Sequence, residues 1–296
     1  MKRKLMLMLL LVGGIACAHA QYKLIPVDYP GGTGTDLRGI NSRGDIVGAY
    51  QVTPPGHALL IRMGQFMGLG PNTVLATNQS RAQKNNDHGD VAGFMGGDDG
   101  FNHGFLYSAG AVTQLDYPGA GDTYAYGINN KGTVVGFYDS DPNSADTHGF
   151  IWSNGVFTPF DVPGAIVTVI LAVNDRGDMG GAWWNDTEFH MFLVSNGKLS
   201  SFDVPVAGVT VDEIRGINDL GQLVGFYQDS NGTDHGYVWT GKAFTTIDYP
   251  GAALTFVEGI NSAGQIVGRW FDNDFNVHGF VGQLENKGKP LAALDR

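Results

Sequence analysis

Apolar runs of about five to seven residues alternate with Gly-, Asn- and Asp-rich breaks through most of this chain. Residues 124–162 show the pattern. A short apolar strand (A, 124–128) is followed by Asn129-Asn130-Lys131-Gly132, whose chemistry is that of a type I turn. Strand B (133–138), a polar loop, strand C (148–152), an Asn154-Gly155 hairpin turn and strand D (156–162) come next, and Pro163-Gly164 ends the unit. Four short strands joined by hairpins make an antiparallel meander the size of one propeller blade, so the pattern predicts an all-β chain.

The meander recurs. Its turn asparagines are Asn41, Asn86, Asn129, Asn174, Asn218 and Asn261, spaced by 45, 43, 45, 44 and 43 residues. The residues opening strand C recur with them: His57, His103, His148, His190, His235 and His278. A period of that length marks a repeat architecture. Catalysis needs one copy of a group, so the repeated Asn and His read as structural, each His tying strand C to a loop or turn of its own blade. The Asp residues that end strand D (Asp28, Asp116, Asp161, Asp203, Asp248) read as caps for the outgoing loop.

The ends of the repeat array complement each other. Residues 22–28 form a strand D with nothing before it, and 256–282 form strands A, B and C with no D after them. A ring explains both. The fold expected is a six-bladed β-propeller of four-stranded antiparallel blades, with the N-terminal strand joining the last blade. An open β-solenoid is the alternative and would need capped ends. The expected domain spans 21–285, after a leader at 1–20 and before a polar tail at 286–296.

Strand direction alternates, so the A–B and C–D turns share one uniform face, and the B–C and D–A loops share a variable one. Binding residues concentrate on such loops. Strand B leaves through Tyr50, Met95, Tyr138, Trp183, Tyr227 and Trp270, which read as inter-blade packing or as a sugar platform. Ligand-binding candidates are Trp183, Trp184, Asp186, Glu188, Asp212, Glu213, Trp270, Asp272 and Asp274, with Trp184 the best exposed. Oxygen groups alternate in Asp139-x-Asp141-x-Asn143, Asp229-x-Asn231-x-Thr233 and Asp272-x-Asp274-x-Asn276, as at the start of a calcium loop. No terminal Glu completes them. No cofactor is therefore expected, with Ca²⁺ the one candidate.

Lys2, Arg3 and Lys4, an apolar stretch over 5–15 and Ala18-His19-Ala20 predict a secretory signal cut near Ala20. Cys17, the only cysteine, lies within it; a lipoprotein attached there is the lesser alternative. Cleavage would leave 15 Lys and Arg against 29 Asp and Glu, a charge that repels nucleic acid. No segment is apolar and long enough to span a bilayer.

Gly-Ile-Asn-x-x-Gly-x-Val-Val-Gly followed by His103-Gly-Phe105, His148-Gly-Phe150 or His278-Gly-Phe280 resembles the probable extracellular repeat family named for His-Ala-Phe. His57-Ala-Leu59, His190-Met-Phe192 and His235-Gly-Tyr237 depart from that phrase. The resemblance implies a secreted bacterial protein with a propeller-like fold and implies no reaction. The polar end at 285–296 lacks the sorting tail common in related exported proteins. The reading reached is a secreted or periplasmic, monomeric, non-catalytic module. It would present the variable face to a glycan or to an envelope or cell-surface protein. A glycoside hydrolase or lyase using acids on that face is the alternative; the sequence shows no catalytic constellation.

Overall fold

The computed structural model describes residues 22–52, 55–70, 73–139 and 146–285. Strand β1 (Tyr22–Val27) comes first. The first repeat holds β2 (Gly34–Ile40), β3 (Ile46–Gln51), β4 (His57–Arg62) and β5 (Gln65–Gly68). The second holds β6 (Ser80–Asn85), β7 (Val91–Gly96), β8 (Asn102–Ser108) and β9 (Ala111–Leu115). The third holds β10 (Thr123–Ile128), β11 (Val134–Asp139), β12 (Thr147–Ser153) and β13 (Val156–Phe160). The fourth holds β14 (Val167–Val173), β15 (Met179–Trp184), β16 (Phe189–Ser195) and β17 (Lys198–Phe202). The fifth holds β18 (Val211–Ile217), β19 (Leu223–Gln228), β20 (Asp234–Trp239) and β21 (Phe244–Ile247). The chain then runs through β22 (Leu254–Ile260), β23 (Ile266–Phe271) and β24 (Val277–Leu284).

These strands form four four-stranded sheets and one of eight strands. In the larger sheet two antiparallel meanders meet through one parallel pair, Thr147 with Val167. The first strands of the repeats line a common axial space, the tunnel, through Ile40, Lys84, Ile128, Ala172, Ile217 and Ile260, and the fold is an all-β propeller. The leading strand β1 lies antiparallel to β24, from Tyr22 opposite Leu284 to Val27 opposite Gly279. Leu37, Ile61, Val267 and Val281 bury one core between that sheet and the sheet of β2–β5.

The turn asparagines do more than close their own turns. Each Oδ1 accepts two backbone N–H groups of its turn, as Asn129 does from Lys131 and Thr133 at 3.1 and 3.0 Å. Each Nδ2 then reaches the main-chain carbonyl of the next turn asparagine. Asn41 donates to Asn86, Asn86 to Asn129 and Asn129 to Asn174, at 3.0–3.1 Å. Asn174 donates to Asn218, Asn218 to Asn261, and Asn261 back to Asn41, over the same distances. All six are nearly inaccessible. Buried polar groups need partners, and one side chain here satisfies two turns.

The other repeated groups also find partners within the fold. The glycine of strand B lets its backbone lie under the strand C aromatic: a Cβ on Gly136 would overlap the Tyr124 carbonyl oxygen and press on Phe150. His103, His148, His235 and His278 place Nδ1 2.8–3.1 Å from the carboxylates of Asp116, Asp161, Asp248 and Asp28. The acid at the end of strand D thus holds the histidine. The outgoing backbone is capped instead by strand A of the next repeat: Tyr29, Tyr117, Val162 and Tyr249 donate N–H to Thr35, Thr123, Thr168 and Thr255. For the same reason β13 stops at Phe160, short of the predicted 162. Tyr138 stacks on Tyr117 at 3.6 Å, Trp270 on Tyr249 at 4.3 Å and Tyr50 on Tyr29 at 4.0 Å, so these rings pack against the Tyr-Pro-Gly corners.

Candidate functional site

Every first strand carries a β-bulge, and the residue it leaves unpaired is Arg38, Gln83, Tyr126, Leu171, Arg215 or Glu258. A bulge re-aims a side chain, and Arg38, Tyr126, Arg215 and Glu258 come within electrostatic reach of one another. Near the variable face they gather an ionic cluster. Arg38 clamps Asp36 through Nε and Nη2 at 2.7 and 2.8 Å and reaches Glu258 at 3.2 Å. Arg269 Nη1 lies 2.7 Å from Glu258 and 3.3 Å from Asp36. Arg81 stands farther off, its Nε 3.7 Å from Asp36.

Burial opposes charge on Asp36, yet Arg38, Arg269 and Arg81 outweigh it and hold the carboxyl well below the usual range. Glu258 shows the same balance against Arg38, Arg269 and Arg215. Arg269 moves the other way: burial, then repulsion from Arg38, lowers its pKa. Arg38, Arg81 and Arg269 thus face the buried carboxylates of Asp36 and Glu258, and Asp234 also acts on Arg269.

Lys84 sits beside the cluster, its Nζ 3.0 Å from the Arg38 carbonyl. Burial brings its pKa down to about 7, against about 10.4 when unfolded. Between those values the unfolded chain binds a proton that the folded chain does not, so this group makes stability rise with pH from about 7 toward 10. Lys84→Met should remove that rise. The Tm advantage of the variant over wild type is expected to shrink steadily between pH 7 and pH 9.5 in thermal scans.

A cavity of about 850 Å³ opens over this cluster on the variable face, bounded by Arg38, Arg81, Arg269, Tyr50, Gln51 and Phe275 among others. Phe275 tips the β23–β24 hairpin, 68% exposed, with φ +62°. Its N–H donates to the Asp272 carbonyl, and Asp272 N–H to Asn276. The hairpins of the second and fifth repeats bond identically, but there the left-handed position is Gly100 or Gly232. A side chain in that conformation costs about 1–2 kcal/mol.

Two repeats away, Trp184 and Phe189 are cross-strand partners with ring centroids 5.8 Å apart, at 28°. Trp184 is exposed, and with Glu188, Glu213 and Thr187 the pair bounds a hollow of about 420 Å³. Asn185 Oδ1 accepts the N–H groups of Thr187 and Glu188, which stiffens the connecting turn. Glu213 is held by Arg215 Nη2 at 2.5 Å.

Of the sequence candidates, Trp184, Glu188 and Glu213 converge here, and Asp186 is exposed on the same turn. Trp183 packs on His190 and against the apolar core, half-buried, and Trp270 lies between Tyr249 and His278. Asp212 is buried, accepting N–H from Val204 at 3.2 Å in the position that threonine fills elsewhere.

The calcium-like loops close on themselves. Asp229 accepts N–H from Asn231 and Thr233, and Asp272 from Asp274 and Asn276, each with an Asn side chain added. Those bonds, the Asn276 side chain's first, keep the Asp272 pKa low. Asp139 accepts Thr147 Oγ1 at 2.7 Å; Asp141 and Asn143 lie outside the described residues. Among the described residues, no three His, Cys, Asp or Glu side chains group to hold a metal, and no helix is long and apolar enough to cross a membrane. The leader, Cys17 and the C-terminal tail also lie outside the described residues.

No family model matches the sequence. No curated protein matches it either. Solved structures share the fold. A mutant of the Aleuria aurantia lectin in complex with α-methyl-L-fucoside aligns at TM-score 0.53 and 10% identity, over 89% of this chain and 95% of the lectin. TolB from Acinetobacter baumannii aligns at TM-score 0.55 and 9% identity, over 83% of this chain and 65% of TolB. The β-propeller domain of the Trilobed protease from Pyrococcus furiosus aligns at TM-score 0.50 and 12% identity, over 86% and 80%. At such identities the likeness concerns the fold alone.

Proposed function

We propose that the chain is a six-bladed propeller, closed by β1 on β24, that serves outside the cytoplasm as a non-catalytic carbohydrate-binding module. The observation that carries this reading is the Trp184–Phe189 pair: an exposed ring surface beside Glu188 and Glu213. Ring faces cover the apolar side of a sugar, and carboxylates accept hydrogen bonds from its hydroxyls. The two acids of this hollow sit among rings and turns, with Glu213 already paired to Arg215, an arrangement suited to holding hydroxyls. The Aleuria aurantia lectin, solved with a fucoside, shows that a propeller of this kind can hold a sugar.

The test is a glycan array followed by titration of the strongest hit against tryptophan fluorescence. Trp184→Ala should weaken that hit about tenfold, the ~1.4 kcal/mol of one aromatic anchor, with the Tm unchanged. A hit whose affinity ignores this substitution, or product formation from any glycan, would overturn the reading.

A further inference from the structure

The cavity over Arg38, Arg81 and Arg269 is a second hollow on the variable face, and its chemistry differs from that of the Trp184 platform. We propose that it binds the carboxylate of an acidic sugar, a uronic or sialic acid unit, on Arg81 and Arg269. This rests on the reading that the variable face holds glycans.

Four observations converge. The volume, about 850 Å³, accommodates a short oligosaccharide. Charge comes next. Asp36 and Glu258 share the inner guanidinium groups, while Arg269 engages them through Nη1 alone. Arg81 has one distant ion pair, at 3.7 Å, and a side chain 39% exposed. Both arginines line the cavity, and their remaining N–H groups make the forked donors that match a carboxylate. Asp36 and Glu258 fix the floor, so little ordering is left for binding to impose.

The third observation is the shape around the charge. Ala49 occupies the strand position that Phe94, Phe137, Phe226 and Arg269 hold in four other repeats, and that Ala182 holds in the fourth repeat; the small residue leaves space toward Tyr50 and Gln51. Rings and side-chain amides then bracket the arginines as ring faces and hydroxyls would require. The fourth is Phe275. Two bond-for-bond equivalent hairpins place glycine at its position, yet here an aromatic ring is held in the left-handed conformation and exposed at the rim. Nothing in the hairpin's own bonding asks for that ring. A sugar face stacking on it would.

The test is calorimetric titration of the whole protein with trigalacturonate, a hyaluronan tetrasaccharide and sialyllactose, each beside its carboxyl-reduced neutral counterpart. At least one acidic sugar should bind, its neutral counterpart about tenfold more weakly. Arg81→Gln should cost a similar factor, since the side chain has little structural work. Phe275→Gly should weaken binding severalfold while leaving the Tm unchanged or higher, an opposition that a structural role would not produce. Trp184→Ala should leave the acidic sugar's affinity alone. The proposal fails if no acidic sugar binds, or if carboxyl reduction or Arg81→Gln makes no difference. It also fails if a Glu-rich peptide is the ligand that Arg81→Gln releases. Neutral glycans lost on Trp184→Ala with all acidic sugars silent would remove this site and leave the platform reading standing.

Discussion

Deleting residues 22–28 should lower the Tm by about 10 °C or more, or prevent folding. The strand is short, but it supplies one whole edge of the last sheet. Its removal breaks the ladder from Tyr22–Leu284 to Val27–Gly279, the Tyr22 hydroxyl bond to the Gly264 carbonyl and the Asp28 contact to His278. It also uncovers Val281 and Phe280, both fully buried, and opens the core shared with the sheet of β2–β5. Some six ladder positions, at about 1 kcal/mol per hydrogen bond before any apolar area is counted, approach the whole stability of an ordinary domain, about 5–15 kcal/mol. A chain whose repeats ran open would lose only a frayed end. Thermal unfolding of the truncated protein decides between these, and a synthetic peptide of residues 22–28 should restore part of the loss by mass action.

Replacing one ring asparagine should cost about 3–5 kcal/mol. Asn129→Ala removes the acceptor of the Lys131 and Thr133 N–H groups and takes one of two donors from the buried Asn174 carbonyl, which keeps the Gly177 N–H. Each N–H so stranded costs about 1–3 kcal/mol, and the lost bond between repeats adds about 1 kcal/mol. Asn129→Asp separates the two roles. It keeps an oxygen for the two N–H groups but turns an acceptor toward the Asn174 carbonyl, so it should also destabilise strongly. If Asp were tolerated as well as Asn, only the turn would matter and the links between repeats would carry no weight. Urea unfolding of both variants measures the difference.

Much of this fold was legible because it is periodic. The turn asparagines, the His-Gly-Phe phrase and the unmatched terminal strand could be read without coordinates, since each is a local pattern. The links between repeats could not. Nothing local shows that Asn129 Nδ2 meets the Asn174 carbonyl, because that contact depends on how steeply adjacent sheets pack. The recurring His and Asp were both visible, thirteen residues apart in repeats such as His148 and Asp161, but their partnership was not.

The candidate site was legible only where it was locally odd. Trp184 stood out because it directly follows Trp183, the residue through which strand B leaves its blade. Arg38, Arg81 and Arg269 did not, since they come from three repeats and only the packing joins them. Two signals were nonetheless present. Charged residues at the bulge position, where Leu171 shows that an apolar one fits, mark the tunnel wall. Phe275 at the place of Gly100 and Gly232 marks the rim.

Both hollows lie on the face of the B–C and D–A loops, and the asparagine ring lies at the opposite mouth of the tunnel. Hydrogen exchange of the protein with and without its best glycan ligand is therefore the most direct measurement. Protection should fall on residues 184–189 with 213, or on 269–277 with the loops around Tyr50 and Arg81. Protection centred on the turns at Asn41, Asn129 and Asn218 would contradict the division into a repeated scaffold and a variable binding face.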